Sequence, residues 1–400
     1  MRCPRLPIAP LLLAALAAAC GDEAPSPTSP ETAPVSAAGA AALDFVQVSA
    51  GVEHACGVTT DGKAWCWGAN QYGELGIPPA GSPDPCSSRP CSFSPVAVSG
   101  GLRFRHISAG AQFTCGLTNG DKVFCWGRND GGQLGTKSTA EGNFTPGRVA
   151  GDRTYRQVSA GSGAMACAIS ASRSAFCWGS GRLGNGTSRS RGPVKVSGDL
   201  EWAQLSVGAG FVCGITTTAG EAWCWGANGR GQLGNGTTTT SGTPVRSAEG
   251  LRIARIDAGN EHACALLADA RAFCWGSRVG VGTGGGGIGR VLVPTPVGGT
   301  RKWNGISAGA LHSCGVTVIG RGFCWGMGVG GALGNGSTED RFTPAVVSGN
   351  LEFVAISASF VFSCGVAEGG KAWCWGDNSN GQLGDGTGIN RLVPVAVAGS

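Results

Sequence analysis

From residue 43 onward the apolar residues come in short runs cut by Gly, Asn, Asp and Ser, and nowhere do they recur with the 3.6-residue period of an amphipathic helix. The runs follow a fixed order. An apolar stretch ends in small residues, as in FRHISAG (104–110) or WNGISAG (303–309), and a Cys-Gly-Val-like stretch and a polar turn follow. Next come an aromatic-Cys-Trp-Gly segment, a glycine-rich loop such as GANGRGQLGNGT (226–237) and a Pro-Val stretch such as TPVRS (243–247). The aromatic-Cys-Trp-Gly segment stands at 65–68, 124–127, 176–179, 223–226, 273–276, 323–326 and 373–376, about fifty residues apart. Four short strands per unit, repeated seven times, predict an all-β seven-bladed propeller of four-stranded blades over residues 43–400.

The small residues have a place in that architecture. Innermost strands converge on a central channel, where Ser49-Ala50-Gly51, Ser108-Ala109-Gly110, Ser159-Ala160-Gly161 and Ser307-Ala308-Gly309 avoid collision. Trp67, Trp126, Trp178, Trp225, Trp275, Trp325 and Trp375 share one register and are expected to fill the widening gaps between blades. Two units break the pattern. The first carries an insertion, IPPAGSPDPCSSRPCSFSP (77–95), and the fifth replaces the usual loop with SRVGVGTGGGGIGR (277–290), which is expected not to pack as its siblings do. Both are places where a repeated scaffold can hold something specific.

Composition agrees with many turns and little helix surface: 72 Gly, 12 Trp and 18 Cys, with only 14% charged residues against about 25% in an average domain. The net charge of +5 is scattered singly, with no basic run, so charge gives no case for nucleic-acid binding.

Residues 1–19 read as an export signal, with MRCPR as a short positive region and IAPLLLAALAAA as an apolar core too short to span a bilayer. The run ending at Cys20 resembles a bacterial lipoprotein cleavage box, in which that cysteine carries lipid, although Ala17 stands where Leu is usual. An ordinary secretory cleavage nearby is the alternative, and either delivers the chain to an oxidising compartment. Residues 20–42, rich in Pro, Ala, Ser and acid, read as a disordered tether.

DGKAWCWGANQYGELG (61–76), GRNDGGQLG (127–135), GANGRGQLGNG (226–236), GMGVGGALGNG (326–336) and GDNSNGQLGDG (376–386) resemble the repeats of the regulator of chromosome condensation family. The resemblance runs through 43–400 and implies a seven-bladed propeller. The cysteine between the aromatic residue and Trp looks like an extracytoplasmic variation on the family pattern.

The cysteines pair by position: Cys56 with Cys66, Cys115 with Cys125, Cys167 with Cys177, Cys213 with Cys224, Cys264 with Cys274, Cys314 with Cys324 and Cys364 with Cys374. Cys56 and Cys66 are symmetric about Asp61, so the two would face each other across a hairpin closed by Thr60-Asp61-Gly62, within reach of a disulfide. Each bridge would contribute roughly 2–3 kcal/mol on the chain-entropy account. Cys213 and Cys224 are one residue further apart and need a longer turn, and Cys86 and Cys91 make a further pair within the insertion.

Catalytic and metal chemistry find little support. No C-x-x-C occurs, and the cysteines are distributed one pair per unit rather than converging on a metal. His54, His262 and His312 share a register with Phe113, Met165, Phe211 and Phe362, which marks packing, and the remaining histidine, His106, builds no triad. Asp22, Glu23, Glu53, Asp257 and Glu261 form no cluster outside the repeat. GTGGGG (282–287) satisfies a nucleotide fingerprint only because almost everything there is Gly, and Asp377-Asn378-Ser379-Asn380-Gly381 fails calcium-loop spacing at Gly381. No cofactor is therefore expected. The reading is a non-catalytic, monomeric scaffold, lipid-anchored through Cys20 in the cell envelope, that binds a protein or surface polymer. The alternatives are nucleotide exchange on a small GTPase, which the family resemblance implies, and a polysaccharide enzyme working from a propeller face.

Overall fold

The computed structural model describes residues 42–400 except 87, 88 and 219. The export-signal and tether readings, Cys20 among them, lie outside the described residues. Seven antiparallel sheets follow one another along the chain, each built from consecutive strands. Blade 2 is typical: Phe104–Ala109, Phe113–Thr118, Val123–Arg128 and Gly142–Arg148 run from the channel outward. Consecutive strands alternate in direction, so every blade starts its first strand and makes its second hairpin turn at one face of the ring, called here the lower face. The glycine-rich loops lie at the upper face.

The first blade differs. The 77–95 insertion supplies part of its fourth strand, Arg89–Ala97, and adds a short fifth strand, Asp84–Cys86, at the outer edge. Cys86 and Cys91 bridge that added hairpin. The ring closes with each end in its own blade. Phe45–Ala50 pairs with His54–Thr59, whereas Arg391–Ala396 pairs with Ala372–Gly376. The seam is held by Leu43 N donating to Gly399 O, Phe45 N donating to Gly370 O (2.8 Å), and an apolar layer joining Phe45, Val48 and Trp67 to Phe362, Leu383 and Val397.

The core is not one body but seven such layers, one per blade interface. Alternation along the third strand divides the labour. Cys125 packs toward blade 3, with Cys115, Tyr155 and Trp178, while its neighbour Trp126 packs toward blade 1, with Cys56, Cys66 and Leu75. All seven repeat disulfides are formed between directly opposed residues with Cα atoms 4.0–4.1 Å apart, and their sulfurs are fully buried. Cys213 and Cys224 also face each other, so the extra residue is absorbed by the turn.

The glycine loop of the fifth unit corrects an expectation. It does pack as its siblings do: Val281 is fully buried where other units place Leu75, Leu134 or Leu233, and Gly280 O accepts the indole N–H of Trp325 at 2.9 Å. A short 3-10 turn, Arg278–Gly280, delivers that carbonyl although the loop is two residues shorter. Only its tip projects, with Ile288 almost wholly exposed.

Candidate functional site

The innermost strands surround a channel cavity of about 130 Å³. At one level Ser49, Ser108, Ser159, Ser206, Ser307 and Ser357 point inward, and the fifth blade supplies Asp257. Each of these seven side chains accepts a hydrogen bond from a backbone N–H of the next blade, at 2.8–3.1 Å, so the ring of bonds closes on itself. Ser206 also donates to Asp257 Oδ1 at 2.8 Å. Burial raises the Asp257 carboxyl above its usual range, against the pull of the Ala308 N–H and the serine hydroxyls. Below the ring, Gln47, Gln157 and Gln204 each clamp both backbone groups of one residue in the next blade, Ile107, Leu205 and Ile256. Above it the blades touch through glycines: a Cβ on Gly51 would lie 2.5 Å from Gly110 O, and one on Gly110 2.7 Å from Gly161 O. The small residues therefore bring backbones together, as the sequence implied, and the serines among them are the fasteners.

The upper loops are equally committed to structure. Asn70, Asn129, Asn228 and Asn378 are buried, and each accepts the N–H of the loop leucine five residues on. The calcium-like stretch at 377–381 is one of these loops, with Asn378 spent on backbone carbonyls at Thr387 and Ile389. The carbonyl before the leucine accepts the tryptophan indole of the next blade in six of seven units, as with Trp178 and Gln133 O at 2.9 Å. The third unit is the exception. Its Gly179-to-Leu183 segment is three residues shorter than Gly226-to-Leu233, and the buried Trp225 N–H has no partner.

The three repeat histidines also face the next blade. His54, His262 and His312 meet Thr114, Ser313 and Ser363 at 2.7–2.8 Å. Each hydroxyl donates its one proton to a loop carbonyl, Glu74, Gly280 or Ala332, so the imidazole Nε2 must be the donor to it. Nδ1 is buried and unpartnered. Burial pushes the imidazoles down to about 3, about 4 and about 3 in that order, so they are neutral at pH 7. Glu74 stands where other units have Gln133, Gln232 and Gln382; burial pushes it up to about 8, with nearby Glu53 adding to the shift. Among the described residues no three His, Cys, Asp or Glu side chains gather in a metal-binding cluster. Glu53 and Glu261 remain in equivalent, separate blades.

These features define a class: a seven-bladed propeller whose cysteines staple each blade internally and whose channel serines join blade to blade. An RCC1-like domain model matches residues 17–365, and regulator of chromosome condensation (RCC1) repeat models match 353–382 and 369–400. The chain belongs to the RCC1-like domain family. Among curated proteins it is 32% identical over 141 residues to the probable E3 ubiquitin-protein ligase HERC6 of Homo sapiens, covering 34% of this chain and 13% of that protein. It is 33% identical over 98 residues to the ultraviolet-B receptor UVR8 of Arabidopsis thaliana, covering 24% and 21%. The matched regions are thus a minor part of either relative. Human WBSCR16 superposes with a TM-score of 0.75 at 21% identity, over 84% of this chain and 94% of its own. Prp20p from Saccharomyces cerevisiae gives 0.73 at 20%, over 88% and 87%. The ectodomain of the Arabidopsis thaliana receptor kinase ACR4 gives 0.54 at 19%, over 90% and 100%.

Proposed function

We propose that this chain is an exported, non-catalytic propeller that binds a protein partner and is held at the cell envelope by a lipid on Cys20. One observation carries the reading: every blade has a fully buried disulfide at the same register. Disulfides of this density are a device of oxidising compartments. An ectodomain and a protein studied for its binding to Gsp1p and histones share the fold, which supports an extracellular, protein-binding use of it. The channel serines are occupied in bonds between blades and the buried loop asparagines in bonds within their own loops, which leaves loop surfaces rather than a reacting centre as the working part. Expression of the full chain in a bacterium with labelled palmitate, followed by fractionation and thiol alkylation, tests the location. Label lost on Cys20→Ala and no alkylated repeat cysteine are expected. A cytoplasmic, unlabelled chain with free thiols would overturn the proposal and favour the nucleotide-exchange alternative. Crosslinked capture from the native envelope then tests for a partner, and recovery of no specific protein counts against binding.

A further inference from the structure

Charge that is scattered along the sequence is gathered in space. Residues 102–199, blades 2 and 3, carry 13 Lys and Arg against 5 Asp and Glu, whereas the other five blades (42–101 and 200–400) carry 15 against 17. Two blades therefore hold the whole positive surplus. At their lower face Arg105, Arg148 and Lys195 are matched by Asp121, Asp152 and Asp199. Arg103, Lys122, Arg153, Arg156 and Arg173 form no salt bridge among the described residues. Lys122 Nζ reaches only the carbonyls of Asp152 and Arg153, and the Arg153 guanidinium lies over the Phe176 ring.

The same face changes character around the ring. At the second position of the first strand, blades 2 and 3 have Arg105 and Arg156, whereas blades 7 and 1 have Val354 and Val46, 53% and 54% exposed. Blade 6 adds Val318 and Ile319 at its lower turn, 60% and 71% exposed, where the equivalent turn of blade 1 holds Thr60 and Asp61. Four exposed aliphatic side chains over blades 6, 7 and 1, set among charges of both signs (Lys302, Arg321, Glu352, Glu368 and Lys371), thus adjoin a basic arc over blades 2 and 3. The chain also leaves the ring here, at Leu43, tied down by Gly399 and, through Asp44 O, by Thr60 N. Cys20 is 22 residues before residue 42, a reach of at most roughly 80 Å even fully extended.

We propose that the lower face docks on an anionic lipid bilayer, with the unpaired Arg and Lys against headgroup phosphates and the Val and Ile side chains at the acyl boundary. The cellular part of this rests on the lipid-anchor reading, since the anchor would hold this face within reach of the membrane. The chemistry of the face is separate from it. Basic residues beside exposed aliphatic ones suit a bilayer interface, which offers phosphate and hydrocarbon within a few ångströms.

The ring closes within residues 42–400, so a chain beginning at residue 21 contains the whole ring and lacks both Cys20 and the apolar run at 8–19. This chain should co-sediment with vesicles containing phosphatidylglycerol and not with pure phosphatidylcholine, and salt should release it. Arg103→Glu, Arg156→Glu and Arg173→Glu together should weaken binding at least about tenfold, and Ile319→Ser with Val318→Ser severalfold. Arg182→Glu with Arg191→Glu, on the upper side of the same blade, should leave it unchanged. Equal binding to both vesicles, equal loss from the upper-side variant, or binding only to a soluble acidic polysaccharide would overturn the proposal. Palmitate labelling of Cys20 in cells is read separately, so failure of the anchor and failure of the face are distinguishable.

Discussion

His262 gives the sharpest test of how the blades are joined. Its imidazole is buried, neutral and bonded to Ser313 across the blade 5–6 interface. Where the register instead holds Phe113, Met165, Phe211 or Phe362, the facing residue of the next blade is Ala166, Val212, Ala263 or Ala55. A donor always meets a hydroxyl and an apolar side chain always meets another. His262→Phe with Ser313→Ala therefore rewrites one interface in the language of its neighbours. The sign follows from protonation. With the folded imidazole down at about 4 and the unfolded one near 6.5, the unfolded chain binds the extra proton, so stability falls as pH drops below about 6.5. At pH 5 the wild-type chain should have lost about 2 kcal/mol through this one residue, and the double variant none of it. At pH 7 the exchange of two buried hydrogen bonds, His262 to Ser313 and Ser313 to Gly280 O, for apolar contact should be worth about 2 kcal/mol or less in either direction. Denaturant midpoints with disulfides intact, measured at both pH values, decide it. A stability difference between variant and wild type that stays the same from pH 7 to pH 5 would refute the argument.

Three other comparisons probe the remaining fasteners. Glu74→Gln restores the side chain found in units 2, 4 and 7 and should stabilise the fold by roughly 3 kcal/mol more at pH 8 than at pH 5. A carboxyl raised to about 8 keeps its full contribution only below the unfolded value near 4.3 and loses it as pH rises toward the folded one; thermal midpoints across that range read it. Trp275→Phe removes a bond to Gln232 O, whereas Trp225→Phe removes only an unpartnered N–H, so the first should cost about 1 kcal/mol more than the second in denaturant melts. Replacing Cys167 and Cys177 together by Ala should lower stability by roughly 2–3 kcal/mol on the chain-entropy account while intact mass shows the other bridges formed.

The fold was legible because the repeat says everything seven times. One aromatic-Cys-Trp-Gly segment, such as WCWG at 65–68, is ambiguous between a site and a staple; seven in register can only be layers of one core. The disulfides followed from hairpin symmetry alone, since Cys56 and Cys66 stand equally far from Asp61 and a hairpin must oppose them. Ring closure was not legible. The 43–51 and 392–400 stretches look equally able to share a blade or keep to their own, and only the strand pairing, Phe45–Ala50 with His54–Thr59 and Arg391–Ala396 with Ala372–Gly376, decides between them. The insertion is opaque for a related reason: the 77–95 stretch, which ends at Pro95, includes strand residues every other blade also has.

What is not legible in the sequence lies where a unit departs from its siblings by a single residue or a short deletion. Ser-Ala-Gly in the first strand is conspicuous for being small, yet its serine hydroxyls accept the next blade's N–H, and only then does Asp257 matter: a carboxyl oxygen accepts such a bond as a hydroxyl does, so the ring stays closed with an acidic side chain in the channel wall. A comparison of the seven copies column by column would have found it, together with Glu74 among glutamines and the short loop that leaves Trp225 unpaired. The lower face is different in kind. Arg105, Arg156, Val354 and Val46 occupy one column, but their grouping into adjacent basic and aliphatic pairs exists only because the ring brings blade 7 beside blade 1 and blade 1 beside blade 2. A propeller spends its repeated residues on holding itself together, so partner recognition falls to the columns that packing leaves unconstrained. In this chain the exposed second position of the first strand is such a column, and its change from Arg to Val around the ring follows no need of the core.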